Sequence, residues 1–217
     1  MPCTCVVLGH SFITGTLHHL SPASRPTSHR LASLLRVSDV VTNLQLIGQR
    51  GAQVTKPNFQ LPEQALIHYA PTVVILDYGS NDLANGADPL EVATTIIDIA
   101  NTLINKYSVA HVVICSVLNR TSALGSLTAA QFKSLAYKVN HYLKTMCTDE
   151  PNLFYHIHKG FWSIPIHQWS HDGIHPNTKI GRKKYIASIR KAIFLSVGRL
   201  CRYLDWYSTP HIYNSSI

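Results

Sequence analysis

Short apolar runs alternate with longer stretches of helical spacing along this chain. CVVLG (5–9), VVTNLQLIG (40–48), TVVILDYG (72–79), HVVICSVL (111–118) and NLFYHI (152–157) are compact and rich in Val, Ile and Leu. Several end in glycine, and each reads as a buried strand. Between them, HRLASLLRV (29–37) sets Leu31, Leu34 and Leu35 on one helical face, and PEQALIHYA (62–70) reads as a short helix. Residues 88–107 and 126–147 predict two long helices, the first opened by Asp88 and Pro89 and the second by a Ser or Thr cap. Residues 177–204 predict a last amphipathic helix, with a break expected near Gly198. Strands that are apolar throughout are buried on both faces. Their alternation with helices predicts a three-layer α/β/α, doubly wound parallel sheet of about five strands. The loops 14–29 and 55–62 carry no pattern that fixes their shape.

A chain of 217 residues with 46% hydrophobic and 14% charged positions supports one sizeable core. We expect one domain over 1–204 and a polar, aromatic tail over 205–217. Five scattered cysteines do not make a disulfide framework, so a reducing compartment is expected. The N-terminus lacks a basic start and its apolar run is too short for a secretory signal. That predicts an intracellular protein, and the abrupt first strand predicts a piece of a longer one.

The net charge of +8 has a location. Lys179, Arg182, Lys183, Lys184, Arg190, Lys191, Arg199 and Arg202 fall between Asn177 and Leu204 with no acid among them. Ile180, Ile186, Ile189, Ile193 and Leu200 are expected to pack on the sheet and leave a basic outer face. That face is either plain solvated surface or a contact for phosphate, in nucleic acid or anionic lipid.

Ligand sites in such sheets form at the carboxyl ends of the strands. LGHS places Ser11 just past the first strand, IGQRGAQV offers Gly48 and Gly51 after the second, and YGSND offers Asn81 and Asp82 after the third. DGIHPN, after the fifth, holds Asp172 and His175. A serine, an acid–histidine pair and donors for an oxyanion are the parts that acyl transfer needs. Each has an ordinary alternative, as a turn glycine, a helix cap or a loop hydrogen bond.

The set Ser11, Gly51, Asn81, Asp172 and His175, in this order, resembles the SGNH hydrolases, also called GDSL esterases/lipases. The resemblance runs from Val6 to about Ile193, closest at GSND and DGIHPN. It implies a flavodoxin-like fold and a serine esterase acting on small-molecule or lipid acyl esters. Ser11 would be the nucleophile, His175 the base and Asp172 its orienting acid. Ser11 N–H, Gly51 N–H and the Asn81 amide would form the oxyanion hole, and no metal or organic cofactor is implied. Gly51 is preferred to Gly48 for its distance to GSND. The retrotransposon-associated SGNH-type domains of animals are a narrower likeness, carried by LDYGSNDL and residues 172–193.

The chain departs from the family at His10, where relatives have aspartate. Asp77 also interrupts an apolar strand. We expect His10 and Asp77 to pair across neighbouring strands as an anchor for the serine loop; the alternative is that His10 marks a decayed site. His156, His158, His167, His171 and His175 raise a metal site, which Gly173 and Pro176 disfavour by breaking the helix that 171/175 spacing would need. Arg120, in SVLNR, either contacts substrate or ties down a loop. Trp162 and Trp169 either wall a pocket or pack. A rival reading is a module with little turnover that binds nucleic acid or a partner through the basic helix.

Overall fold

The computed structural model describes residues 3–22, 26–122, 127–162, 169–177 and 180–208, with side chains to Gly198 in the last segment. His167, Lys179, Leu200, Cys201 and the tail beyond 208 lie outside the described side chains. Five strands form one sheet: β1 (Thr4–Gly9), β2 (Asn43–Gly48), β3 (Val73–Asp77), β4 (His111–Cys115) and β5 (Leu153–His156). Their order is β2-β1-β3-β4-β5, and every pairing is parallel. This is the doubly wound α/β architecture that the alternating pattern predicts.

The helices cover both faces, because each central strand buries side chains on both. On one face α1 (Ser11–Leu20), α2 (Ser28–Leu35) and α7 (Gly181–Ser208) pack Phe12, Ile13, Leu31, Leu35, Tyr185 and Ile189 against Val7, Ile75 and Val113. On the other, α3 (Glu63–Tyr69), α4 (Ser80–Ala84), α5 (Pro89–Tyr107) and α6 (Ala129–Met146) cover Val6, Leu8, Val74, Leu76 and Ile114. The two faces follow the period-2 alternation of each strand.

Local chemistry sets the helix starts. Asp88 accepts from Leu90 and Glu91 N–H at 2.8 and 3.2 Å, with Pro89 at the first position. Thr128 and Gln131 form a reciprocal capping box. Asn177 Oδ1 accepts from Ile180 and Gly181 N–H, so α7 opens at Gly181 rather than at Asn177.

Three expectations change. The loop expected over 14–29 is partly helical, since the ten-residue α1 runs through it to Leu20. Helix α7 continues through Gly198 without the expected break. Ile180 does not pack on the sheet and is 47% exposed, whereas Ile189 and Ile193 are fully buried. Among the described residues no helix is long and apolar enough to cross a membrane.

Candidate active site

Parallel strands deliver their carboxyl ends to one edge, and four loops meet there. β1 ends at Gly9, and Ser11 is the first residue of α1, so its N–H lacks an intrahelical acceptor. The Ile13 and Thr14 N–H groups reach back to the His10 carbonyl at 3.1 and 3.5 Å, which turns the chain directly from strand into helix.

Ser11 Oγ lies 2.8 Å from His175 Nε2, and His175 Nδ1 lies 2.6 Å from Asp172 Oδ2. The carboxylate can only accept, so Nδ1 carries the proton and Nε2 presents its lone pair to the serine hydroxyl. Asp172 Oδ1 also accepts from Ile174 and His175 N–H at 2.8 and 3.0 Å. Partial burial opposes its charge, but these N–H groups and the His175 ring outweigh burial and hold the carboxyl below its ordinary value. The pair is open to water, with the His175 and Asp172 side chains 35% and 41% exposed.

The DGIHPN loop is clamped from two sides. Ser170 N–H donates to His175 C=O at 2.8 Å, and Trp169 bridges to Pro176. Thr121 and Ser122 N–H donate to Gly173 C=O at 2.9 and 3.3 Å. Gly173 has φ +64°, and a Cβ there would stand 2.4 Å from Ser122 Cβ. Only glycine satisfies both the left-handed backbone and this close approach. Trp169 is buried against Phe161, 6.3 Å between ring centres, so it packs rather than walls an open pocket.

The expected oxyanion donors differ in their surroundings. Gly51 follows β2 in an exposed turn at φ +70°, and no described residue accepts its N–H. Gly48 is inside β2, where a Cβ would stand 2.4 Å from Thr14 N, so it packs against α1. Asn81, on α4, donates from Nδ2 to Ala52 C=O at 3.1 Å and accepts at Oδ1 from Arg120 Nη2 at 3.3 Å. Neighbouring Asp82 is fully buried and accepts from Thr55 N–H and Oγ1–H at 2.9 and 3.0 Å, tying the Gly51 loop to α4.

His10 and Asp77 do not form the expected side-chain pair. They are joined through the backbone, His10 N–H donating to Asp77 C=O at 3.3 Å. Asp77 is in register with Gly9, one residue before His10, and its carboxylate receives the Tyr185 hydroxyl from α7. His158 Nε2 stands 3.9 Å from the other carboxylate oxygen without a hydrogen bond. Burial raises the Asp77 carboxyl to about 7 against the Tyr185 bond. His10 Nδ1 is 3.5 Å from Ser11 Oγ, and its ring packs edge-on against Phe12 at 4.3 Å. Burial, then Arg120, then His175 lower its pKa to about 3, so it is neutral.

Beneath this edge lies a polar cluster that local sequence does not reveal. Ser188 Oγ bonds His158 Nδ1 at 2.8 Å and His156 Nε2 at 2.9 Å. These contacts account for His156 and His158, and no group of metal ligands forms among the described residues. Part of the basic charge of α7 is also committed: Lys184 donates to Gly160 C=O at 2.7 Å and Arg182 to Pro176 C=O at 3.4 Å. Lys183 and Lys191 remain exposed.

A family model described as the GDSL-like lipase/acylhydrolase family matches residues 7–182. The chain belongs to that family, a family of hydrolases. No curated protein sequence matches it. Solved structures share its fold. A mutant acetyl esterase with an acetate ion superposes with a TM-score of 0.61 at 14% identity, covering 91% of this chain and 99% of that one. A GDSL-like lipase from Bacteroides thetaiotaomicron gives 0.58 at 18% identity over 89% and 88%. A carbohydrate esterase family 3 protein from Talaromyces cellulolyticus gives 0.58 at 14% over 90% and 98%.

Proposed function

We propose that this chain is a serine hydrolase of carboxylic esters, with Ser11 as nucleophile. The carrying observation is the line Ser11 Oγ–His175 Nε2–His175 Nδ1–Asp172, with contacts of 2.8 and 2.6 Å. Ser11 attacks the ester carbonyl while His175 takes its proton. Asp172 holds the imidazole in the tautomer that allows this and stabilises the charged form. The oxyanion develops against Ser11 N–H, Gly51 N–H and the free N–H of the Asn81 amide. Donors of this kind are worth roughly 3 kcal/mol each in the transition state. His175 then protonates the leaving alcohol, and water clears the acyl-serine by the reverse use of the same base.

The esterases among the structural neighbours support an acyl or acetyl ester as substrate. The rival module, acting through the basic α7 on nucleic acid or a partner, gives the hydrogen-bonded Ser11, His175 and Asp172 no task. Intact-mass labelling with a fluorophosphonate tests the proposal. We expect one adduct on wild type and none on Ser11→Ala or His175→Ala. An unlabelled, folded wild type refutes it.

A further inference from the structure

Arg120 is a charged residue that is only 2% exposed. It sits in the loop after β4, where Nη2 donates to Ser80 Oγ at 2.6 Å and Asn81 Oδ1 at 3.3 Å. Its guanidinium carbon stacks over Phe132 of α6 at 4.8 Å. Nε and Nη1 have no hydrogen-bond partner among the described residues. A buried cation with two idle nitrogens contributes little to stability, and an apolar side chain of similar length commonly serves a core as well. Its position calls for a different explanation.

That position is behind the Asn81 carboxamide. The amide has two chemically distinct ends, and both have committed partners. Arg120 can only donate, so it selects Oδ1; the Ala52 carbonyl can only accept, so it selects Nδ2. Together they leave one N–H of Nδ2 free and fix its direction. Ala52 directly follows Gly51, so the same chain of bonds sets the spacing between the two expected donors after β2 and β3. A charged donor on Oδ1 also polarises the amide and strengthens the N–H at its other end.

We infer that Arg120 is a positioning residue for the oxyanion site, orienting and polarising the Asn81 amide through its Oδ1. This rests on the serine-esterase reading above. Arg120 does not need to touch substrate. A residue acting this way influences the transition state, where the oxyanion exists, more than the ground state. Its effect must also pass through Asn81.

Hydrolysis of p-nitrophenyl acetate tests both points with Arg120→Met, Asn81→Ala and the double variant. We expect Arg120→Met to lower kcat by about 30-fold, a fraction of what losing a whole oxyanion donor costs, with KM within about twofold. In the Asn81→Ala background the same change should alter kcat by less than about threefold, because the route is already cut. Full multiplication of the two losses, or an unchanged kcat in Arg120→Met, overturns the inference. Arg120→Leu, which likewise removes every donor to Asn81 Oδ1, replaces Arg120→Met under the same criteria if the latter does not fold.

Failure of the esterase reading shows separately, as wild type without turnover. The Asn81 side-chain amide resonances then decide the matter. Wild type should show two well-separated, slowly exchanging protons that collapse towards free-asparagine positions in the Arg120 variant. Unchanged resonances overturn the inference whether or not the protein turns over.

Discussion

Acid should loosen this fold well before ordinary carboxylates titrate, because His10, His156 and His158 are buried with their imidazoles held neutral. Burial lowers His10 and His158 to about 3. Burial and the neighbouring Lys191 lower His156 to about 4. In the unfolded chain each returns to about 6.5 and takes up a proton there. The folded pKa values are depressed, so the associated stability is present above 6.5 and is lost as pH falls. At pH 5 each imidazole should cost about 2 kcal/mol relative to neutral pH. Asp77 acts in the opposite sense. Its folded pKa is raised to about 7, so the fold binds a proton that the unfolded chain releases down to its ordinary value of 3.8. Asp77 is already half protonated at pH 7, so between pH 7 and 5 this recovers roughly 2 kcal/mol.

The net loss from pH 7 to 5 is about 3–4 kcal/mol, a large part of the 5–15 kcal/mol that domains have. Urea unfolding followed by tryptophan fluorescence should show the midpoint falling by on the order of 1–2 M across that interval. His156→Gln keeps a hydrogen-bonding partner for Ser188 but removes one titration. It should reduce the slope by about 1.4 kcal/mol per pH unit between 6.5 and 4. A midpoint that stays level or rises on acidification refutes the reasoning. It would mean that the imidazoles accept protons inside the fold, with His158 beside Asp77 the first place to look.

Two substitutions test the site loop. Asp172→Asn removes the acceptor that fixes the His175 tautomer, and kcat on p-nitrophenyl acetate should fall by about 10²- to 10³-fold, less than for a fully buried acid because water can reach this one. A loss under tenfold would remove Asp172 from the orienting role. Gly173→Ala forces a Cβ against Ser122 at a positive φ, so the loop should shift and slow fluorophosphonate labelling at least tenfold at a stability cost of about 2 kcal/mol. Wild-type labelling in that variant would show that the 121–122 clamp does not position His175.

The strands were legible because continuous apolar runs between turn residues have few other uses. Helix α1 was not. SFITGTLHHL contains Gly15, two threonines and no acidic residue in its first turn, so propensity is weak and packing of Phe12 and Ile13 supplies the helix. Helix α4, at five residues, is too short for any period to register. The meeting of Ser11, His175 and Asp172 at one sheet edge was legible because each follows a strand. The partners of Asp77 were not, since Tyr185 lies 108 residues away in the sequence.

The mistaken His10–Asp77 pair has a geometric cause. Neighbouring strands align Asp77 with Gly9, so the carboxylate lies beside a residue with no side chain and turns to what α7 offers. The register also bears on the family's missing aspartate. An acid at position 10 would place a second negative charge one residue from buried Asp77. A neutral imidazole avoids that, and it adds no positive charge next to His175 when the base takes up its proton. His10 is therefore compatible with an active serine. It replaces a charged anchor with a buried ring packed on Phe12, which in turn packs edge-on against His175 at 5.6 Å and Tyr185 at 5.7 Å. The serine loop is then held by ring packing and by the His10 N–H bond to Asp77 C=O, neither of which needs a carboxylate at position 10.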